Sequence, residues 1–219
     1  MDADSADAGE LRRSLDFIEK VNRRLGYTRA TVSHLDRLAA GWPVGRAMAV
    51  LDVATGSGDV PRAVCSWADR RRIAVRIVAV DRHPVTLGIA RRSASDPRIE
   101  FIRGDALALP LGERSFDFVL CSMFLHHLDP PAVIRVLREI DRVADRGVIV
   151  ADLLRHRRAL AWIVLGTLFS NPMVRHDARA SVRQAFTRPE IERLRDSAGM
   201  GYATYHRHFG HRFVLAGVK

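Results

Sequence analysis

The chain has 219 residues, 47% of them hydrophobic and 27% charged, the make-up of one soluble globular domain with a sizeable core. Its net charge of +10 comes almost wholly from Arg, with Lys only at Lys20 and Lys219. These arginines are scattered and often sit beside acids, as in "REIDRVADR", which disfavours a nucleic-acid partner. The longest apolar stretch, residues 159–170, is too short for a membrane span, and the acidic start "MDADSADAGE" is unlike a signal peptide. Cys65 and Cys121 are far apart and form no CxxC pair, so neither a disulfide framework nor a zinc site is expected. The expected location is cytoplasmic, with reduced thiols.

Residues 1–9 read as a disordered tail. Residues 10–45 read as an N-terminal helical lid of two helices. Leu11, Leu15, Ile18, Val21 and Leu25 form the apolar stripe of the first, and Val32, Leu35 and Leu38 that of the second. From 46 to 219 the pattern changes to strands alternating with helices. "AMAVLDVA", "RIVAVD", "IEFIRGD", "SFDFVLCSMF" and "RGVIVADLL" read as strands. "DVPRAVCSWADRR", "HPVTLGIARRSA" and "PPAVIRVLREIDRVA" read as helices. This alternation predicts a parallel sheet covered on both faces. A long connection at about 153–186 reads as a lid insertion. Thr187 with Glu190 predicts a capping box with Pro189 early in the helix. "YATYHRHF" and "HRFVLAGVK" predict a closing hairpin whose last strand runs antiparallel.

Ligands of such sheets sit at the carboxyl ends of the strands. There the chain places Asp52, Ala54, Thr55, Gly56, Ser57, Gly58 and Asp59 after the first strand, and Asp81, Arg82 and His83 after the second. Asp105 and Ala106 follow the third, and Ser122 ends the fourth. The glycines let backbone approach a ligand, and Asp81 is placed to accept from ribose hydroxyls. A dinucleotide is disfavoured, because Pro61 stands where a third glycine would be and Asp52 would repel a pyrophosphate. Three acids around one pocket suit a cationic cofactor without phosphate, and S-adenosylmethionine is one. Asp59 has a second reading, as a helix cap. Asp117 reads as a structural acid and Cys121 as a core residue.

The succession "VLDVATGSGD", "VAVD", "RGDALALPLGERSFDFVLCSMFLHHL" and "RGVIVAD" resembles the class I S-adenosylmethionine-dependent methyltransferases. It is similar to the ubiquinone/menaquinone biosynthesis methyltransferases and to small-molecule relatives found beside polyketide synthases, and Ala54 departs from their commoner glycine. The resemblance implies an α/β fold with a Rossmann-like seven-stranded sheet, mostly parallel with an antiparallel last strand. It implies that Gly56 and Gly58 pack on the methionine part, that Asp52 and Asp59 orient its ammonium, and that Asp81 holds the ribose. Arg82, His83, Asp105 and Ala106 would line the adenine, and the Ser122 backbone would face the sulfonium. The product would be S-adenosylhomocysteine.

Methyl transfer needs an aligned acceptor and, for a phenol or enol, a base. His126 and His127 follow the fourth strand, and His126 is the better placed of the two. Their other reading is packing or capping at a helix start. His156, His176 and Asp177 in the long connection are secondary candidates, His176 and Arg183 could contact the acceptor, and Trp162 stands in an apolar wall. No metal-ligand spacing is present. The small-molecule acceptor is expected to be phenolic or enolic, of polyketide-like secondary metabolism, and methylated on oxygen. C-methylation of a quinone-type precursor, RNA methylation, and a nucleotide-dependent oxidoreductase or silent binding module remain alternatives. Segment 159–170 either packs on the core or makes a homodimer contact.

Overall fold

The computed structural model describes residues 26–156, 179–209 and 211–219. The tail 1–9, the first lid helix and most of the long connection, with Trp162, His176 and Asp177, lie outside these residues. The described chain runs α1 (Tyr27–Leu38), β1 (Met48–Val53), α2 (Asp59–Arg71), β2 (Val75–Asp81), α3 (Pro84–Ser93) and β3 (Ile99–Arg103). It continues with β4 (Phe116–Ser122), α4 (Pro130–Val143), β5 (Ala144–Leu153), α5 (Arg188–Ser197), β6 (Thr204–His208) and β7 (Arg212–Val218). Among these residues, no helix is long and apolar enough to cross a membrane.

The seven strands form one sheet in the order β3-β2-β1-β4-β5-β7-β6. The first five strands are parallel, and β7 pairs antiparallel with both β5 and β6. The order reverses between β1 and β4, which opens a crevice at their carboxyl ends.

Side chains alternate across the sheet, and this sets where each acid points. Met48 and Val50 of β1 pack under α1, α2 and α3, together with Phe118, Leu120, Ile149 and Ala151. Asp52 and Ser122 continue that face by the two-residue period. Leu51, Val119, Cys121, Val148 and Val150 pack on the other face, against α4 and Ile191 of α5. Asp152 continues this second face.

Helix α4 shows why the layers hold. Asp129 accepts from the Ala132 amide at its start, and two prolines occupy the first turn. Val133, Val136, Leu137, Ile140 and Val143 are fully buried, one stripe at helical spacing. Truncating a side chain such as Leu137 to Ala costs about 2–5 kcal/mol. The expected capping box starts α5, where Glu190 Oε2 accepts from the Thr187 amide and hydroxyl.

Below the sheet, Asp117 accepts from Arg46 at 2.7 Å and from the Ala49 amide at 2.8 Å. It is a structural acid. Arg46 and Arg146 both lie against the ring of Trp42.

Candidate active site

After β1 the chain turns through Ala54 at φ 57°, Gly56 at φ 55° and Gly58 at φ 75°. Gly58 is the N-cap of α2. A Cβ there would reach to 3.4 Å from the Phe101 ring, whereas one on Gly56 would meet open space. The turn is fixed by two backbone bonds, Thr55 N to Val80 O and Gly58 N to Thr55 O, both 3.0 Å. Asp81 adds a third tie. Its Oδ2 accepts from the Gly56 amide and its Oδ1 from the His83 amide, each at 3.0 Å.

Asp52 is buried beneath this turn. Burial pushes its carboxyl up to about 8; the Thr55 hydroxyl opposes the rise, and Asp59 and Asp81 add to it. Burial also raises Asp81 above the usual carboxylate range, against its two amide bonds. Helix α1 roofs the space. Thr28 donates to Asp59 at 3.1 Å, and the Thr31 and Ser122 hydroxyls pair at 3.1 Å. The cavity so enclosed, about 20 Å³, is lined by Tyr27, Thr28, Asp52, Ala54, Asp59 and Ser122. That is well below small-molecule pockets, which run from about 300 Å³ upward, so helix α1 lies close over the turn. The two lining acids, Asp52 and Asp59, fit a ligand group that is cationic, and the open side of Gly56 leaves room for it.

The other expected cofactor residues extend along the same sheet edge. His83 caps α3, and Arg82 is exposed. Ala106 is buried, and Asp105 turns Oδ1 back to the Leu107 amide at 2.9 Å. Asp59 is the first helical residue of α2 and not its cap, because Gly58 takes that position.

His126 and His127 stand in a single 3₁₀ turn, Leu125–His127, rather than at the start of a long helix. His126 is buried and His127 exposed, with their rings 4.1 Å apart. The His126 Nδ1 lies 2.6 Å from Asp152 Oδ1. Asp152 also accepts from the amides of His126 and Leu153. Burial alone would raise the Asp152 carboxyl, but His126 and these amides outweigh it and hold it below its ordinary value. A carboxylate on Nδ1 orients the ring and favours the proton on that nitrogen, leaving Nε2 as the atom for other contacts.

Both histidines border a cleft of about 590 Å³ between the ends of β4 and β5 and helix α5. Arg183 is exposed and does not line it, whereas its neighbour Gln184 does. His156 stacks on His211 at 4.6 Å, and neither ring lines this cleft. Sequence reasoning gave no role to Asp152, to Thr28 and Thr31, or to the cleft wall of α5. A signal existed for Asp152, because "VIVAD" repeats the apolar-run-then-acid pattern of "VLD". Among the described residues, no cluster of three or more His, Cys, Asp or Glu side chains could hold a metal ion.

Strand order, glycine turn and strand-end acids together define the class I S-adenosylmethionine-dependent methyltransferase fold. Residues 50–147 match the family described as a methyltransferase domain. A demethylmenaquinone methyltransferase of Thermotoga maritima is 36% identical over 107 residues, 48% of this chain and 43% of that protein. A 2-phytyl-1,4-naphtoquinone methyltransferase of Synechococcus elongatus is 31% identical over 126 residues, 55% of this chain and 52% of that one. The chain thus spans about half the length of the curated relatives it matches. Human N-acetylserotonin methyltransferase, solved with S-adenosylmethionine, superposes with a TM-score of 0.71 at 16% identity, covering 100% of this chain and 60% of that one. An O-methyltransferase family 2 protein from Planctomyces limnophilus, solved with apigenin, gives 0.65 at 19% identity, covering 100% and 64%. At these identities the likeness is one of fold.

Proposed function

We propose that this chain transfers a methyl group from S-adenosylmethionine to the oxygen of a small phenolic or enolic acceptor, with His126 as the general base. The observation that carries this reading is the buried His126–Asp152 pair, 2.6 Å apart at the wall of a cleft on the carboxyl edge of the sheet that also carries the glycine turn. The bound cofactor supplies an activated methyl carbon. The chain's part is to hold the cofactor's ammonium with Asp52 and Asp59 and its ribose with Asp81, to shield it under α1, and to take a proton from the acceptor at His126 Nε2. Asp152 positions the ring and stabilises the imidazolium that forms. S-adenosylhomocysteine leaves afterwards. We place the enzyme in the cytoplasm, consistent with its two buried free thiols.

A second reading, methylation at carbon, is favoured by the quinone-related names of the relatives. Both need the same deprotonated acceptor, so the product decides between them.

The test supplies labelled S-adenosylmethionine and host lysate to the wild type and to His126→Gln. Label should enter the organic-soluble fraction as a methyl ether, and His126→Gln should lower kcat by about 10²–10⁴ while binding cofactor normally. Label on a ring carbon selects the second reading. Label in RNA or protein, or normal turnover by His126→Gln, overturns the proposal.

A further inference from the structure

The cleft beside His126 has a charge balance that the general-base reading does not use. Helix α5 turns Glu190, Arg193, Leu194 and Ser197 toward it, the i, i+3, i+4, i+7 face of one helix, while Ile191 enters the core. Arg155, just past the end of β5, stands on another wall. Both acids of the cleft are already committed. Glu190 Oε1 takes Arg155 at 2.5 Å, and its Oε2 takes the Thr187 amide and hydroxyl. Asp129 Oδ1 takes the Ala132 amide at the start of α4. Arg193 has neither a hydrogen bond nor an ion pair among the described residues. The apolar remainder of the wall, Leu128, Pro130, Phe186 and Leu194, offers a surface for a flat ring.

We infer that the acceptor is a carboxylated phenol or enol, its carboxylate held by Arg193 and its ring on Phe186 and Leu194, with the reacting hydroxyl toward His126. This rests on the function proposed above and narrows its substrate class. One unmatched guanidinium suits one carboxylate, which it meets with two parallel N–H donors. A dianionic phosphate would require a second free cation, and Arg155 is already held by Glu190. The cleft also lies on the carboxyl edge of the sheet, as does the cofactor pocket, where an acceptor must reach.

The probes are 4-hydroxybenzoate and its neutral partner 4-hydroxybenzamide, titrated into the full chain with S-adenosylhomocysteine present. Wild type should bind the benzoate about ten-fold more tightly than the benzamide, a charge-assisted bond's worth of discrimination. In Arg193→Gln that ratio should fall to about one. His126→Gln should keep the ratio while losing methyl transfer. Because α5 carries Arg193 on its exposed side, folding is checked simply by an unchanged melting temperature. Equal binding of the two probes by wild type, binding of neither, or a ratio unchanged in Arg193→Gln overturns the carboxylate assignment. A preserved ratio without methyl transfer in wild type leaves the carboxylate site standing and removes the proposed reaction instead.

Discussion

Asp52 should make cofactor binding depend on pH, and the size of the effect follows from its surroundings. Its carboxyl is buried, faces Asp59 and Asp81, and sits near 8. At pH 7 only about one molecule in eleven therefore holds it ionised. A cationic ligand selects that ionised form, so the apparent affinity at pH 7 is lowered by the same factor, about 1.4 kcal/mol. Between pH 7 and pH 9 the wild-type Kd should fall about ten-fold on this account. The α-amine of S-adenosylmethionine titrates in the same range and acts the other way, so the contrast to measure is wild type against Asp52→Asn. Titration calorimetry in two buffers of different ionisation enthalpy reads both Kd and protons released. At pH 7 the wild type should release about 0.9 proton more than the variant. Identical pH profiles and identical proton counts in the two proteins would refute the reasoning.

Ala54→Gly should stabilise the fold. Ala54 sits at φ 57°, where an L-residue costs about 1–2 kcal/mol, and the added freedom of glycine in the unfolded chain returns only about 0.4–1 kcal/mol of that. Denaturant melts should show a net gain of about 0.5–1 kcal/mol, and a loss would mean the turn is not left-handed there. His34 should make the protein acid-labile. It is buried between Arg37 of α1 and His206 and His208 of β6, with Arg212 of β7 beside His208, and burial is the main cause lowering it to about 3. Its folded value lies below the unfolded one of about 6.5, so its contribution is full above pH 6.5 and is lost as pH falls toward 3. Denaturation at pH 7 and pH 5 should differ by about 2 kcal/mol from His34 alone, and His34→Gln should remove that part. An equal pH difference in the variant would contradict it.

The strands were legible because a parallel strand buried on both faces leaves an uninterrupted apolar run, as in "AVLDV" and "RIVAVD". Asp52 and Asp81 stood out because each ends such a run. The His126–Asp152 pair did not, for its partners are 26 residues apart and meet only because β4 and β5 are neighbours in the sheet. Thr28 and Thr31 were equally hidden. Helical spacing marks the apolar stripe of α1, but the hydroxyls that reach Asp59 and Ser122 depend on how that helix is rotated against the sheet. Asp59 illustrates a local ambiguity: sequence offers capping or ligand binding, and the left-handed Gly58 settles the first by taking the cap itself.

Strand β7 lies between β5 and β6, although it is the last of the seven along the chain. Its pairing with β5 joins Gly147 to Val218, a long loop to close, so this contact should form late in folding. Until then β5 presents an apolar edge, Val148–Leu153, with open amides and carbonyls. Such an edge recruits strands from other molecules as readily as its own. The yield of soluble protein should therefore fall with concentration during refolding, set by how fast residues 212–218 reach the open edge of β5.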